Sequence, residues 1–331
     1  MPPASIQRPE ELLRLLGLTA ADCGLSAEAM ADFPLRVPRA FVERMRPGDP
    51  RDPLLLQVLP AAVETRPADG FVVDPVGDLS STRSPGLLQK YAGRALLITT
   101  GACAVHCRYC FRRGYPYAEQ SAAGRQLDAA LDAIAGDPQL QEVILSGGDP
   151  LVLGASRLAA MLQRLDAIPH VRRIRLHTRV PIVDPGQVTP DLLATLRGLA
   201  TRTVFVVHAN HARELDATVA SMLRALAAAT GPVLNQSVLL RGVNDSADTL
   251  AGLSTTLFEA GVLPYYLHLL DPVAGAAHFD VPEDEALRLV GELLRMLPGY
   301  LVPRLVREVP GEASKTLLGP FPRRPERAGT T

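Results

Sequence analysis

From about residue 94, short apolar segments alternate with longer helix-like segments along the rest of the chain. This order predicts parallel βαβ units, in which each helix connects two neighbouring strands of one sheet. The predicted strands are Ala95–Thr100, Glu142–Ser146, Arg173–Thr178, Thr203–His208, Val233–Leu240 and Pro264–Leu270. The predicted helices are Gln126–Ala135, Ser156–Leu165, Thr189–Leu199, Ala212–Ala228, Ala247–Ala260 and Glu283–Met296.

Six such units predict an α/β fold built on a partial (β/α)6 barrel, since a closed eight-unit barrel would need more chain than 331 residues leave. Residues 1–90 are expected to form a helical cap and linker, residues 91–300 the partial barrel, and residues 301–331 a C-terminal segment. In the cap, helices are predicted at Pro9–Leu18, Ala27–Phe33 and Arg39–Met45, and the Pro-, Asp- and Ser-rich run Pro67–Pro85 is predicted to be loop.

Composition excludes several classes of function. Apolar residues make up 47% of the chain and the formal net charge is −1, so no overall field favours nucleic acid or an anionic membrane. No apolar stretch approaches a membrane-spanning length, and the N-terminus lacks the features of a secretory signal. The sequence therefore predicts a cytoplasmic protein with no membrane or nucleic-acid partner.

Three of the four cysteines fall in the segment GACAVHCRYCF, directly after the first predicted strand. Cys103, Cys107 and Cys110 have C-x3-C-x2-C spacing, and such clustering in a reducing compartment indicates metal or redox chemistry rather than disulfides. The active site of a parallel α/β barrel lies at the carboxyl ends of its strands, which is where this segment falls. Three thiolates can hold three irons of a 4Fe–4S cluster and leave the fourth iron open.

A zinc site is the alternative interpretation of the same cysteines. Structural zinc usually has four Cys or His ligands. His106 is the available fourth ligand, but its position next to Cys107 suits a tetrahedron poorly. Cys23, far from the cluster in sequence, is interpreted as a buried structural thiol.

The cysteine spacing, the aromatic Tyr109 before the last cysteine and the position after the first strand together resemble the radical S-adenosylmethionine (SAM) superfamily. That resemblance implies that SAM binds the open iron through its amino and carboxylate groups. The segment SGGDP after the second strand resembles the superfamily element that cradles the SAM amino group, which implies cofactor contacts from Ser146, Gly147, Gly148 and Asp149. Alone, the same segment would be a turn.

Two later residues are further candidates for cofactor binding. His208 ends the fourth predicted strand and Gln236 lies in the fifth. Taken alone, each is more often a hydrogen-bonded core residue than a ligand contact.

Longer motifs narrow the resemblance to one family. The segments KYAGR, CRYCFRR, SGGDP, NQSVLLRGVND and PYYLHLLDPVAGAAHF occur in the order and with the separations of the lysine 2,3-aminomutase family. The match runs from about Pro75 to Thr316 and is nearest to the short bacterial branch that modifies elongation factor P. It implies an isomerase that converts free L-lysine to β-lysine, with a functional link to elongation factor P and its lysyl ligase.

The family resemblance also implies pyridoxal 5′-phosphate (PLP) as a second cofactor, carried as a Schiff base on a lysine. Lys315, in PGEASKT, stands at the family's position for that lysine. Arginine cannot form a Schiff base at neutral pH, so the candidates are few, chiefly Lys90 and Lys315. Lys90, Tyr91 and Arg94 match family positions near the PLP phosphate. Without the resemblance, Lys315 would be read as a solvated surface lysine.

Substrate contacts follow from charge and from the resemblance together. An arginine fork matches an amino-acid carboxylate, and Arg112 stands where the family places that partner. A lysine substrate also has a distal ammonium that needs a buried anion. Asp271 matches one family acid, and Glu308 replaces the second, which is normally Asp. Ser246 replaces a cysteine that binds zinc in longer members, and their cysteine-bearing C-terminal extension has no counterpart here, so that site is not expected.

Two other functions remain open at the level of sequence. One is a radical SAM aminomutase acting on another amino acid, although glutamate would be repelled by Asp271 and Glu308. The other is a non-catalytic iron–sulfur protein. The sequence also leaves open a homo-oligomer.

Overall fold

The N-terminal region is a set of short helices joined by a small antiparallel pair of strands. The computed structural model describes residues 5–122 and 124–319. The strands are β1 (Ser5–Ile6) and β2 (Val37–Pro38), and the helices are α1 (Pro9–Leu16), α2 (Ala20–Cys23), α3 (Ala27–Asp32), α4 (Arg39–Val42) and α5 (Pro53–Leu56). The three predicted helices begin where expected and end one to three residues earlier. Helix α1 stops at Gly17, whose φ of 65° is left-handed.

A hairpin follows this region and joins the main sheet. It consists of β3 (Thr82–Ser84) and β4 (Leu87–Tyr91), and β4 also pairs antiparallel with β5 (Arg94–Thr100). The prediction of loop for Pro67–Pro85 is therefore wrong at β3. The boundary expected at residue 90 falls inside β4, because pairing with β5 extends the sheet into the linker.

In the part of the chain that the structure describes, the main sheet has ten strands, and the six predicted parallel strands form its centre. After β5 these are β6 (Glu142–Gly147), β7 (Arg173–Thr178), β8 (Arg202–Val207), β9 (Val233–Val238) and β10 (Leu263–His268). Neighbours in sequence are neighbours in the sheet, and each of these pairs is parallel. The α/β partial (β/α)6 barrel predicted from the sequence is thus confirmed.

The helices that connect the strands are amphipathic. Two single-turn helices, α6 (Tyr117–Gln120) and α9 (Val180–Val183), lie near the strand ends. The longer helices of residues 124–319 are α7 (Arg125–Ala135), α8 (Ala155–Asp166), α10 (Pro190–Gly198), α11 (Ala217–Ala229), α12 (Ala247–Glu259) and α13 (Glu283–Met296). Ser246 caps α12 by accepting a hydrogen bond from the backbone of Thr249 at 3.2 Å. Among the described residues, no helix is both long and apolar enough to span a membrane.

The C-terminal segment extends the sheet by two strands that the sequence interpretation missed. Strand β11 (Arg304–Arg307) runs parallel to β10, and β12 (Thr316–Leu318) returns antiparallel to β11. Glu308 directly follows β11 and Lys315 directly precedes β12, so the link between two paired strands fixes both residues.

The hydrophobic core is continuous between the N-terminal region and the barrel. One cluster contains Leu12, Phe41 and Leu54 together with barrel residues such as Leu145 and Phe205, all fully buried. Burial of this kind is the main favourable term in folding. The N-terminal region therefore packs against the barrel as part of one core.

Candidate active site

The three clustered cysteines lie on the loop after β5, at the carboxyl end of a parallel strand. All are partly buried free thiols, and the backbone amide of Cys110 donates to the carbonyl of Cys107 at 3.0 Å. Burial raises the pKa of Cys110 to about 11 and that of Cys103 well above its ordinary value, and the neighbouring cysteines add to both shifts. Bound iron would reverse this preference, since a coordinating cation favours the thiolate.

The proposed fourth zinc ligand faces away from these cysteines. Nδ1 of His106 lies 2.8 Å from the carbonyl oxygen of Pro34, and the imidazole stacks on Phe33 with ring centroids 4.9 Å apart. Within residues 5–122 and 124–319, no group of three His, Cys, Asp or Glu side chains is placed to hold a single metal ion. A donor set of three thiols suits three irons of a 4Fe–4S cluster better than a tetrahedral zinc ion.

Arg179 holds the middle cysteine from the barrel side. Its Nη1 donates to Sγ of Cys107 at 2.7 Å, while its Nη2 donates to Gln57 at 2.6 Å and to Glu214 at 3.1 Å. Arg179 directly follows β7. Its position at the carboxyl end of a barrel strand could have predicted a functional residue, but the sequence interpretation did not single it out. A guanidinium donating to a ligand sulfur is a means of tuning a bound cluster.

The SGGDP segment presses against the cysteine loop. Gly148 donates to the carbonyl of Thr100 at 2.7 Å, and Asp149 donates to that of Ala102 at 2.8 Å. A Cβ atom on Gly148 would lie 2.1 Å from the carbonyl oxygen of Ala102, and Gly147 has a φ of +114°. Both glycines are therefore required by the close approach of the two backbones.

Asp149 binds protein groups through both of its carboxylate oxygens. It is buried, and it accepts hydrogen bonds from Thr178 at 2.7 Å and from the backbone of Leu151 and Arg179 at 3.0 and 2.6 Å. Burial raises its pKa, and these hydrogen bonds oppose the shift. Asp149 therefore joins the end of β6 to the end of β7. Its direct contact with a cofactor remains a prediction.

Four polar side chains line the later strands at the same end of the barrel. They are His177 on β7, His208 after β8, Gln236 on β9 and His268 on β10. The amide nitrogen of Gln236 lies 3.1 Å from Nε2 of His268, and Nε2 of His177 is buried with no hydrogen-bond partner among the described residues. Burial lowers the pKa of all three imidazoles, that of His208 to about 4, so each is neutral at pH 7. The sequence interpretation missed His177 and His268.

Arg112 is buried and anchored at two points. Its Nε donates to Asp78 at 2.6 Å and its Nη1 to the hydroxyl of Ser146 at 3.1 Å. Its Nη2 has no protein hydrogen-bond partner in the part of the chain that the structure describes. Asp78 also forms an ion pair with Lys90, with 2.7 Å between Oδ1 and Nζ. Asp78 lies in the run predicted to be linker, and the sequence interpretation did not single it out.

Lys90, Tyr91 and Lys315 meet at Glu308. The hydroxyl of Tyr91 donates to Glu308 at 2.6 Å, Lys90 lies 3.8 Å from the same carboxylate, and Lys315 forms an ion pair with its other oxygen. Burial alone would raise the pKa of Glu308, but Lys315 and these hydrogen bonds leave it below its ordinary value. The guanidinium of Arg94 packs over the Tyr91 ring at 4.8 Å.

Asp271 lies close enough to this cluster to respond to its charges. It follows β10, and burial raises its pKa to about 7, with Lys315 and Lys90 opposing the shift and Glu308 adding to it. The residues predicted to bind substrate or PLP therefore form one cluster of interacting charged and polar groups. Its members are Lys90, Tyr91, Arg112, Asp271, Glu308 and Lys315. The cysteine loop is joined to that cluster by Arg112, two residues after Cys110.

The fold and the three-cysteine loop define a radical SAM protein. Residues 97–251 match the sequence profile of the Radical SAM superfamily. The L-lysine 2,3-aminomutase of Escherichia coli (strain K12) is 50% identical over 313 residues, which cover 94% of this chain and 91% of that protein. The proteins of the same name from Haemophilus influenzae and Clostridium subterminale are 44% and 33% identical, over 95% of this chain in each case and 93% and 76% of theirs. The chain therefore belongs to the lysine 2,3-aminomutase family of radical SAM enzymes.

Proposed function

We propose that this protein is an L-lysine 2,3-aminomutase that uses a 4Fe–4S cluster, SAM and PLP to convert free L-lysine to β-lysine. One observation carries the PLP assignment and with it the reaction. The chain contains 34 Lys and Arg residues, yet only two are lysines, Lys90 and Lys315, and both pair with Glu308 beside the barrel mouth. Only a lysine side chain can form the Schiff base, so these two amines are the candidates for binding PLP.

Each cofactor has a candidate set of residues. Three thiols, Cys103, Cys107 and Cys110, would hold the cluster, and SAM would lie against Ser146, Gly147, Gly148, His208 and Gln236. Lys315 would carry PLP, with Lys90, Tyr91 and Arg94 toward its phosphate. When bound, the cluster and SAM supply a hydrogen-abstracting radical, and PLP supplies a π system that stabilises an unpaired electron on the substrate.

The protein's own side chains account for recognition of lysine. Arg112 has an Nη2 group available for the substrate α-carboxylate. Asp271 and Glu308 supply the anions for the distal ammonium. Glu308 now pairs with the ammonium of Lys315. This ion pair puts the Glu308 carboxylate in contact with an ammonium, the group that the substrate side chain also carries.

The activity is tested by anaerobic incubation of the reconstituted protein with SAM, PLP, dithionite and L-lysine, followed by chromatography for β-lysine. Lys315→Ala should make none and lose the borohydride-reducible chromophore, while keeping the iron–sulfur absorbance. Mass spectrometry of reduced, digested wild-type protein should locate the pyridoxyl group. A pyridoxyl group on Lys90 would overturn the assignment to Lys315, and the absence of β-lysine would overturn the reaction.

We propose further that the product serves the modification of elongation factor P in the cytoplasm, where a ligase attaches β-lysine to that protein. Arg112 favours free lysine as the substrate, because an acylated lysine has no α-carboxylate to offer the guanidinium. Isomerisation then precedes attachment. The ordering is tested by comparing turnover of free lysine with that of elongation factor P already carrying α-lysine, and a clear preference for the protein-bound form would refute it. Normal modification in cells lacking this gene would refute the role.

A further inference from the structure

Asp78 connects two cations that serve different ligands in the proposed function. Its side chain is 3% exposed, and each of its oxygens pairs with a different partner. One oxygen accepts from Nε of Arg112 at 2.6 Å, and the other pairs with Nζ of Lys90 at 2.7 Å. A single carboxylate therefore fixes the distance between the guanidinium and the ammonium.

The backbone around Asp78 is itself held in place. The carboxylate of Asp74 accepts hydrogen bonds from the backbone amides of Asp78 and Leu79 at 2.9 and 3.1 Å. Lys90 also donates to the carbonyl of Val76 at 2.6 Å. The segment from Asp74 to Leu79 thus forms a fixed wall of the site, and Asp78 is the side chain that this wall directs at Arg112 and Lys90.

Charge balance explains why an acid is needed at this position. Arg112 and Lys90 would repel each other without an anion between them, and a buried charge without a partner is costly. Glu308 does not replace Asp78, because it lies 3.8 Å from Lys90 and is engaged by Lys315 and Tyr91. Ser146, the other partner of Arg112, is uncharged.

We propose that Asp78 is a positioning residue that orients Arg112 for the substrate carboxylate and Lys90 for the PLP phosphate at the same time. This inference rests on the proposed function for the two ligands. In this role Asp78 would act through Arg112 and Lys90, the residues that it contacts. It leaves Nη2 of Arg112 available to the substrate and holds Lys90 near the start of the turn that carries Tyr91 and Arg94.

The signature of such a residue is that one substitution weakens two different ligands. Asp78→Asn keeps the shape, but its amide nitrogen must face the donors of Arg112 or of Lys90. We expect the dissociation constant of PLP and the KM for lysine each to rise at least about tenfold, with a smaller change in kcat. Lys90→Gln should raise the PLP constant and affect lysine less, and Arg112→Gln should raise the lysine KM and affect PLP less.

A matched control is a buried acid that pairs with arginine elsewhere. Asp52 is fully buried and lies 2.6 Å from Arg213, so Asp52→Asn removes a comparable charge outside the site. PLP binding is measured by absorbance titration without turnover, lysine KM by product chromatography, and folding by thermal melting of each variant. Asp52→Asn should leave both ligand constants within about twofold of wild type, although its melting temperature falls. Asp78→Glu should recover part of both constants, because it restores the charge.

The outcomes separate this inference from the function on which it rests. If wild type makes β-lysine and Asp78→Asn changes neither constant, or only one of them, the coupling role is wrong and the function stands. Equal effects of Asp78→Asn and Asp52→Asn on both constants would reduce Asp78 to a general stabilising residue and also overturn the inference. If wild type makes no β-lysine, the function fails, whereas an unchanged PLP constant in Asp78→Asn would independently refute the contact through Lys90.

Discussion

Asp271 is the residue whose charge should govern how lysine binding depends on pH. Burial raises its pKa to about 7, and only its ionised form attracts the substrate ammonium. We expect kcat/KM for lysine to fall as the pH drops below 7 and this limb to be lost in Asp271→Asn. A pH profile of kcat/KM checks the prediction, and an unchanged acid limb in the variant would assign the titration to another group.

The ionised form of Asp271, which favours lysine binding, should lower the stability of the folded protein. Because the pKa of Asp271 is raised above its ordinary value of 3.8 in the folded state, the folded protein is progressively destabilised as the pH rises from that value through 7. Asp271→Asn should therefore raise the melting temperature more at pH 8 than at pH 5. Thermal melts of wild type and variant at the two pH values test this, and an equal shift at both would contradict an acid whose pKa is raised in the folded state.

Each cysteine of the loop should be needed for iron. Replacing Cys103, Cys107 or Cys110 with Ala should abolish iron loading and reductive cleavage of SAM, because thiolates are the strong soft ligands of this segment. Cys23→Ala is the matched control, since Cys23 lies at the end of α2 and packs against the apolar core. Iron analysis and the visible spectrum of anaerobically reconstituted protein measure the effect. A full iron–sulfur spectrum in Cys107→Ala would disprove the ligand set.

The SGGDP turn and the cysteine loop are packed so closely that there is no room for a side chain at Gly148. Gly148→Ala places a Cβ 2.1 Å from the backbone of Ala102, so the cysteine loop must move. We expect lower iron content and a loss of about 1–3 kcal/mol in the free energy of unfolding, typical of overpacking. Gly252→Ala, within α12 with open space around it, should keep its iron and gain up to about 1 kcal/mol. Urea denaturation and iron analysis compare the two variants.

The elements that the sequence predicts well are those with a strong local signal. All six central strands begin within one residue of their predicted starts, since apolar runs between helices identify buried parallel strands. Strands β3, β11 and β12 have three or four residues each and form by pairing with a neighbouring strand of the sheet, which runs this short do not reveal in the sequence. Lys315 and Arg112 are predicted because they lie in family motifs. Asp78 lies in none of those motifs, and its partners at residues 90 and 112 become visible only in the folded structure.

Across the whole molecule, the N-terminal region and the barrel are joined by buried charges as well as by the core. Arg44 donates to the carbonyl of Ile182 at 2.8 Å, and Asp52 pairs with Arg213. Arg108, on the cysteine loop, is fully buried and binds Glu64 through two nitrogens at 2.9 and 2.5 Å. These bonds cross from the first seventy residues to the catalytic end of the barrel, so the two parts should unfold in a single transition.

Glu64→Gln tests this coupling through the Arg108 pair. The variant leaves a buried guanidinium without its anion, and Arg108 retains the carbonyls of Phe33 and Ala29, at 2.5 and 3.2 Å, as its remaining partners. Breaking one side of a buried pair costs about 3–5 kcal/mol. Circular dichroism in urea, which follows the barrel, and proteolysis of the N-terminal region should report the same loss of stability. Glu28→Gln, an exposed acid on α3, should change neither. If proteolysis shows the N-terminal region released while the barrel's urea midpoint stays unchanged, the two parts fold independently and the cysteine loop does not need the cap.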